Sequence, residues 1–380
     1  MTGPARIPLS APDLGPAERA RLLQTFDAGW VSSAGPVVEA FEQAFAERIG
    51  LAHATAVSSG TAALHLALTM LDLKPGDAII APTLTFIGGI SPIVHVGARP
   101  IFVDSRPADW NLDPELLEQA FALASTEGLR VRAIVPADLY GQCCDIEAIR
   151  MVAEAHGVPV ILDSAEAVGA ELNDRHAGHG ASCAAFSFNG NKIITTGGGG
   201  MLASDDAALI LRARSLAAAA RVPAVHYEHA EVGFNYRMTS LAAALGAAQL
   251  ETLDAKVARR RAIFERYQAR LGDRAGVAFA PEAPGCRHTR WLTVMQLGPE
   301  LTCGPETLRR ALDVADIEAR PVWKPMHLQP VFGNALMVGG GVAEGLFANG
   351  LCLPSGSSLS DDDIDRVCDV IEATLDTPRP

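Results

Sequence analysis

Apolar residues along this chain recur at two periods. Residues 15–28 and 36–49 space Leu, Val, Phe and Ala at helical intervals. Residues 58–71 (SSGTAALHLALTML) open as a small-residue turn and continue as an apolar helix, with Ser58, Ser59 and Thr61 offering hydroxyls to its first turn. From residue 78, short β-branched runs alternate with helical segments. The pattern predicts strands at 78–82, 99–104, 131–139 and 158–163, and helices at 86–97, 113–125 and 145–157. The strand runs are continuously apolar, as in strands covered by helices on both faces. Such alternation predicts an α/β fold with a mostly parallel, doubly wound sheet, whose ligands sit beyond the carboxyl ends of the strands.

Beyond residue 203 the pattern is mainly helical. The Ala-rich stretches at 215–220 and 241–248 read as buried helix, and 241–271 reads as one long, Arg-rich amphipathic helix connecting two units. After it come a strand at 291–297, a helix at 306–317, a strand at 318–323 and a closing helix at 361–375. The expected division is a large domain over 1–250, N-terminal helices included, and a small C-terminal α/β domain over 251–380.

Composition narrows the function classes. A hydrophobic fraction of 49% and a charged fraction of 20% describe a globular protein with a sizeable core. The net charge of -13 argues against nucleic-acid and anionic-membrane partners. No segment reads as a signal peptide or membrane span. The seven cysteines are scattered without a C-x-x-C pair, so neither a disulfide framework nor a metal site is expected, and a cytoplasmic location fits best.

Three segments carry candidate chemistry. Asp163, in ILDSAE, is an acid at the end of a buried strand. Alone it is more often a helix cap or an ion-pair partner, yet a protonated pyridine nitrogen is one cation that would balance it. Lys192 lies in SFNGNKIITTGGGG (187–200), beside Ser187 and a glycine run that permits close backbone approach. A desolvated lysine attacks carbonyls, whereas a solvated one merely decorates a loop. The run lacks the ending of a P-loop and the G-x-G-x-x-G of a dinucleotide site. The start of the 58–71 helix is an anion site or simply a capped helix. Together they supply a phosphate cradle, a pyridinium partner and a carbonyl-reactive lysine, the three requirements of pyridoxal 5′-phosphate (PLP).

The chain resembles the DegT/DnrJ/EryC1/StrS family of sugar aminotransferases. The resemblance runs from GWVSSAGPVVEAFEQAFA (29–46) to LPSGSSLSDDDI (353–364), and is most specific in SFNGNKIITTGGGGM, ARVPAVHYEHAEVGFNYRM (220–238), RHTRWL (287–292) and RPVWKPMH (320–327). It is most similar to the branch making UDP-N-acetylbacillosamine and related 4-amino sugars.

The resemblance implies the aspartate-aminotransferase (type I) fold. It implies that Lys192 bonds the cofactor and moves the proton, and that Asp163 pairs with the pyridine nitrogen. Gly60 and Thr61 amides and the Ser187 hydroxyl would hold the phosphate, with Phe86 and Glu166 against the two ring faces. Asn235 would reach the cofactor phosphate of a neighbouring subunit, so the active unit would be a homodimer. Arg221, Arg287, Arg290, Arg320 and Lys324 are candidates for a substrate diphosphate. Tyr227, Trp291, Trp323 and His327 are further substrate candidates.

Three positions depart from the family pattern. Asp138 stands where His is frequent, Gly198 interrupts a frequent TTGEGG, and Thr289 replaces a frequent Asn. The implied reaction is amino transfer from L-glutamate to the C4 keto group of a UDP-linked 2-acetamido-2,6-dideoxy hexose. GDP- and dTDP-linked keto-sugars are alternatives. Other classes are a noncatalytic PLP or sugar-nucleotide binder and a nicotinamide-dependent Rossmann enzyme.

Overall fold

The computed structural model describes residues 5–377. Helices α1 (Pro16–Asp27) and α2 (Pro36–Ile49) lead into strand β1 (His53–Val57) and helix α3 (Gly60–Thr69). Then β2 (Asp77–Pro82), α4 (Ile87–His95), β3 (Arg99–Val103), α5 (Leu117–Thr126), β4 (Arg130–Ile134), α6 (Ile146–Ala155) and β5 (Ile161–Asp163) alternate. Next come β6 (Cys183–Ser187), β7 (Gly200–Ser204), α7 (Ala207–Ala217) and α8 (Ser240–Glu251). The remainder comprises α9 (Leu253–Leu271), β8 (Val277–Phe279), β9 (Thr293–Leu297), α10 (Pro305–Val314), β10 (Arg320–Pro321), β11 (Leu336–Val338), α11 (Val342–Asn349), β12 (Gly350–Leu353) and α12 (Asp361–Leu375).

The central sheet forms in two halves, β11-β3-β2-β4 and β5-β6-β7-β1. Parallel bridges from Ile134 to Val160 and from Ala137 to Asp163 join them. Every ladder in it is parallel except those of β7, which runs antiparallel to β1 and β6. Carboxyl ends of β2, β5 and β6, with the chain just past β4, therefore open on one edge. One apolar cluster, including Phe41, Phe45, Ile80 and Phe186, packs one face of the sheet, and another, including Leu66, Ile79, Phe102 and Leu202, packs the other. A separate core of Ile263, Tyr267, Met295, Leu308, Leu353 and Ile371 lies between the antiparallel sheet β8-β9-β12-β10 and its helices.

Three features differ from the sequence expectation. The helix expected over 241–271 is two, α8 and α9, broken at Thr252 (φ -107, ψ 8), whose hydroxyl turns back to the Gln249 carbonyl. Such a side-chain bond competes with the helical ladder and bends it. The Ala-rich helix ends at Ala217, and Ala219 and Ala220 take positive φ. There the Ala219 N–H binds the Phe234 carbonyl and the Phe234 N–H binds the Leu216 carbonyl, so a tertiary contact outweighs alanine's helix propensity. Finally, β11 returns from the C-terminal third to pair with β3.

No helix among the described residues is long and apolar enough to cross a membrane. No group of three or more His, Cys, Asp or Glu there is placed to hold a metal ion. Cys143 and Cys144 are buried, free thiols; hydrogen bonding with Cys286 and then burial push Cys143 upward in pKa, and burial pushes Cys144 upward.

Candidate active site

An open cleft of about 290 Å³ lies at the carboxyl edge of the central sheet. At one end stands the N-terminus of α3. Ser59 caps it, its hydroxyl accepting the Ala62 N–H at 3.0 Å. The Gly60 and Thr61 amides, first in the helix, have no intrahelical acceptor and carry the positive end of its dipole. Gly200 is required here. A Cβ on it would lie 2.4 Å from the Ser59 carbonyl carbon and 2.5 Å from the Gly60 nitrogen, so only glycine lets β7 run against this turn. Ser187, ending β6, lines the same end.

Asp163 ends β5 and faces the cleft at 8% exposure. Its Oδ1 accepts the Ala165 N–H at 3.1 Å. Among the described residues, it has no ion pair. Burial pushes its carboxyl up to about 7, the Ala165 N–H and Lys192 opposing this and the charges of Glu166 and Asp138 adding to it. Glycine again permits the approach: a Cβ on Gly89 would lie 2.4 Å from Asp163 Oδ2.

Lys192 extends from the 188–199 loop into the cleft. Its Nζ is 3.7 Å from Glu166 Oε1 and 3.8 Å from the centroid of the Trp291 ring. Burial lowers its pKa, and the charges of Glu166 and Asp163 partly restore it. The outcome is a lysine closer to its neutral, nucleophilic form than a surface one. Glu166, itself raised by burial, accepts the Tyr140 N–H at 2.7 Å. Tyr140 has φ 55, a left-handed conformation locked in by this bond and by the Trp323 N–H to its hydroxyl at 2.9 Å. Phe86 caps α4 and sits 5.6 Å from Trp323 between ring centroids.

The chain thus brings Gly60, Thr61, Phe86, Asp163, Glu166, Ser187, Lys192, Trp291 and Trp323 to one cleft. Several other sequence candidates do not line it within the single chain. Asn235 is exposed, bridged to Ala218. Arg221 stacks on the exposed Tyr227. Arg287 pairs with Glu171, Arg320 with Glu318, and His327 with Thr83 and Glu344. Lys324 lies outside the cleft lining, half-buried. Arg290 corrects its reading as a diphosphate ligand. It is buried, lies over Phe264, and bonds the Ala280 carbonyl and Glu282, so its charge is already spent on the fold.

The departures also resolve. Thr289 is buried against the Gly141 carbonyl and does not reach the cleft. Asp138 does line it, its oxygens accepting the Ser164 hydroxyl (2.6 Å) and the Cys144 N–H (2.9 Å), with burial pushing it up to about 6. A Cβ on Gly198 would meet nothing within 4 Å. Sequence reasoning missed Thr85, Gly88 and Gly89 as cleft residues. Thr85 follows β2 as Asp163 ends β5, so the strand-end rule could have found it.

Comparison with known proteins decides the family. The model of the DegT/DnrJ/EryC1/StrS aminotransferase family matches residues 12–372. The chain belongs to this family. It is 44% identical to EpsN of Bacillus subtilis over 96% of this chain and 95% of that one. It is 41% identical to the GDP-perosamine synthase of Caulobacter vibrioides, over 99% of this chain and all (100%) of the relative. The solved aminotransferase TlmJ of Streptoalloteichus hindustanus superposes with TM-score 0.89 at 31% identity, covering 97% and 98% of the two chains. The protein is accordingly a PLP-dependent sugar aminotransferase of type I fold.

The cleft fits PLP on its own observations. A buried carboxyl without an ion-pair partner among the described residues meets a pyridinium requirement, a helix N-terminus with unpaired amides meets a phosphate, and a desolvated lysine lines the same cleft.

Proposed function

We propose that this aminotransferase moves the amino group of L-glutamate to the C4 keto carbon of a nucleotide-linked 6-deoxy hexose, with a UDP-linked 2-acetamido sugar as acceptor. The observation that carries the chemistry is Lys192, desolvated and 3.7 Å from Glu166 in the cleft that Asp163 also lines. When bound, PLP supplies an electron sink for the carbon that loses its proton. Asp163 supplies negative charge to a ring nitrogen, and the α3 N-terminus with Ser187 anchors a phosphate. Lys192 Nζ gives and takes the proton, with Glu166 keeping its charge state within reach of neutral pH. Phe86 and Trp323 wall the cleft. Asn235, exposed in this chain, would complete the site of a second copy.

A GDP-linked acceptor is the second reading, because the 41% identical Caulobacter relative is a GDP-perosamine synthase. The test is an absorbance spectrum of purified protein with added PLP, before and after borohydride, beside Lys192→Ala. A visible band present in the wild type and absent from the variant supports the lysine's role. No band in either overturns it. Addition of glutamate, and then of UDP- and GDP-linked 4-keto-6-deoxy sugars, shows which acceptor restores the band.

A further inference from the structure

Arg260, in the middle of α9, is 1% exposed and has no carboxylate partner within ion-pair distance among the described residues. Its Nη1 donates to the carbonyls of Trp291 (2.6 Å) and Ser355 (2.9 Å), and its Nη2 to the Ser10 hydroxyl (3.1 Å). A guanidinium buried without an anion costs several kcal/mol unless its hydrogen bonds compensate. What those bonds lead to is specific. The Ser10 hydroxyl donates onward to the Asn191 carbonyl at 2.7 Å. The Trp291 indole Nε1 donates to the same carbonyl at 2.8 Å. Asn191 is the residue before Lys192, and the Trp291 ring lies under the Lys192 amine. One buried cation therefore holds both donors that fix the peptide from which Lys192 departs. Polarisation through Ser10 strengthens its bond to Asn191.

We infer that Arg260 is a positioning residue for Lys192, acting through Ser10 and Trp291 on the Asn191 carbonyl. The inference rests on Lys192 being the reactive amine. It makes the α9 helix and the N-terminal segment around Ser10 part of the machinery that aims the lysine, though neither lines the cleft. A purely structural Arg260 would stabilise the fold and leave the lysine's reactivity alone.

The experiment measures the rate at which PLP, trapped with borohydride, labels Lys192 in the cofactor-free chain, read by peptide mass spectrometry and normalised to the exposed Lys74. Ser10→Ala and Trp291→Phe each remove one donor to Asn191 without removing the buried cation. Each is expected to slow normalised Lys192 labelling about threefold to tenfold, the value of one hydrogen bond. Arg260→Met should slow it at least as much, and Arg260→Lys should recover part of the loss. In the loaded enzyme, kcat should fall while KM for the amino donor holds. If Ser10→Ala and Trp291→Phe label Lys192 at the wild-type rate while Arg260→Met only lowers Tm, the inference is overturned. If wild-type Lys192 is not labelled at all, the reading of the site fails first, and this inference with it.

Discussion

Lys192 Nζ and Glu166 Oε1 lie 3.7 Å apart, with Glu166 buried and Lys192 nearly so. Burial lowers the lysine's pKa, and Glu166 is the largest opposing influence. Glu166→Gln keeps an acceptor for the Tyr140 N–H but removes that charge. The Lys192 pKa should then fall further, moving the pH midpoint of its labelling by PLP toward acid. A titration of labelling rate against pH checks this, and an unchanged midpoint would show that Glu166 does not tune the lysine.

Asp163 trades stability against chemistry. Its folded pKa is raised, from 3.8 to about 7, so between those values the cofactor-free folded chain holds a proton that the unfolded chain has lost. Its contribution to stability therefore falls as pH rises through this window, by about 4 kcal/mol as an upper bound. Asp138, raised to about 6, acts in the same sense. The buried His176, lowered to about 4, acts oppositely between about 4 and 6.5, so only the variant-minus-wild-type difference isolates Asp163. Asp163→Asn should raise the Tm of the cofactor-free chain at pH 8 and leave it nearly unchanged at pH 4. The same variant should lose about a hundredfold or more in kcat when loaded, because the ring nitrogen loses its anion. Thermal melts at both pH values with and without PLP test the pair of effects; a lower Tm at pH 8 without cofactor would contradict the assignment.

Two glycines of one run should behave in opposite ways. Gly200→Ala places a Cβ against the Ser59–Gly60 backbone, which cannot move without shifting the first amides of α3. PLP affinity should fall about tenfold or more, as expected when a bond to a charged phosphate is lost. Gly198→Ala meets open space, so its affinity should stay within about twofold of wild type. Fluorescence titration with PLP compares them directly, and equal losses would mean that the run matters for flexibility rather than for approach.

Much of this site was legible because its chemistry is local. Asp163, Ser187 and Lys192 sit where strand ends and a glycine-rich loop announce them, and the βα alternation located the sheet edge. The rest depends on contacts between distant segments. Trp291 reaches Asn191 across 100 residues, and no periodicity in RHTRWL says which face meets the lysine. Arg290 carries the same charge as a phosphate ligand, and only its pairing with Glu282 and Phe264 shows that it is spent. The β11 strand pairs with a β3 more than 200 residues upstream, a choice set by the open sheet edge and not by its own three residues. Helix propensity was misleading at Ala219 and Ala220 for the same reason.

The placement of Asn235 gives a last prediction. It is exposed, outside the cleft of its own chain, on a segment tied to the phosphate end by the Ser58 N–H bond to the Tyr236 carbonyl. If it serves a second copy's cofactor, Lys192→Ala and Asn235→Ala chains should complement each other. In a mixed dimer, the Asn235→Ala protomer keeps its own lysine and receives an intact asparagine from its partner. Its companion site lacks a lysine and stays dead. With random exchange half the dimers are mixed and half their sites work, so activity should return to about one quarter of wild type. Mixing after partial denaturation and refolding, followed by assay against each variant alone, measures this. Recovery absent despite demonstrated exchange would place Asn235 in the service of its own chain or of the fold, and would remove the reason for the active unit to be a dimer.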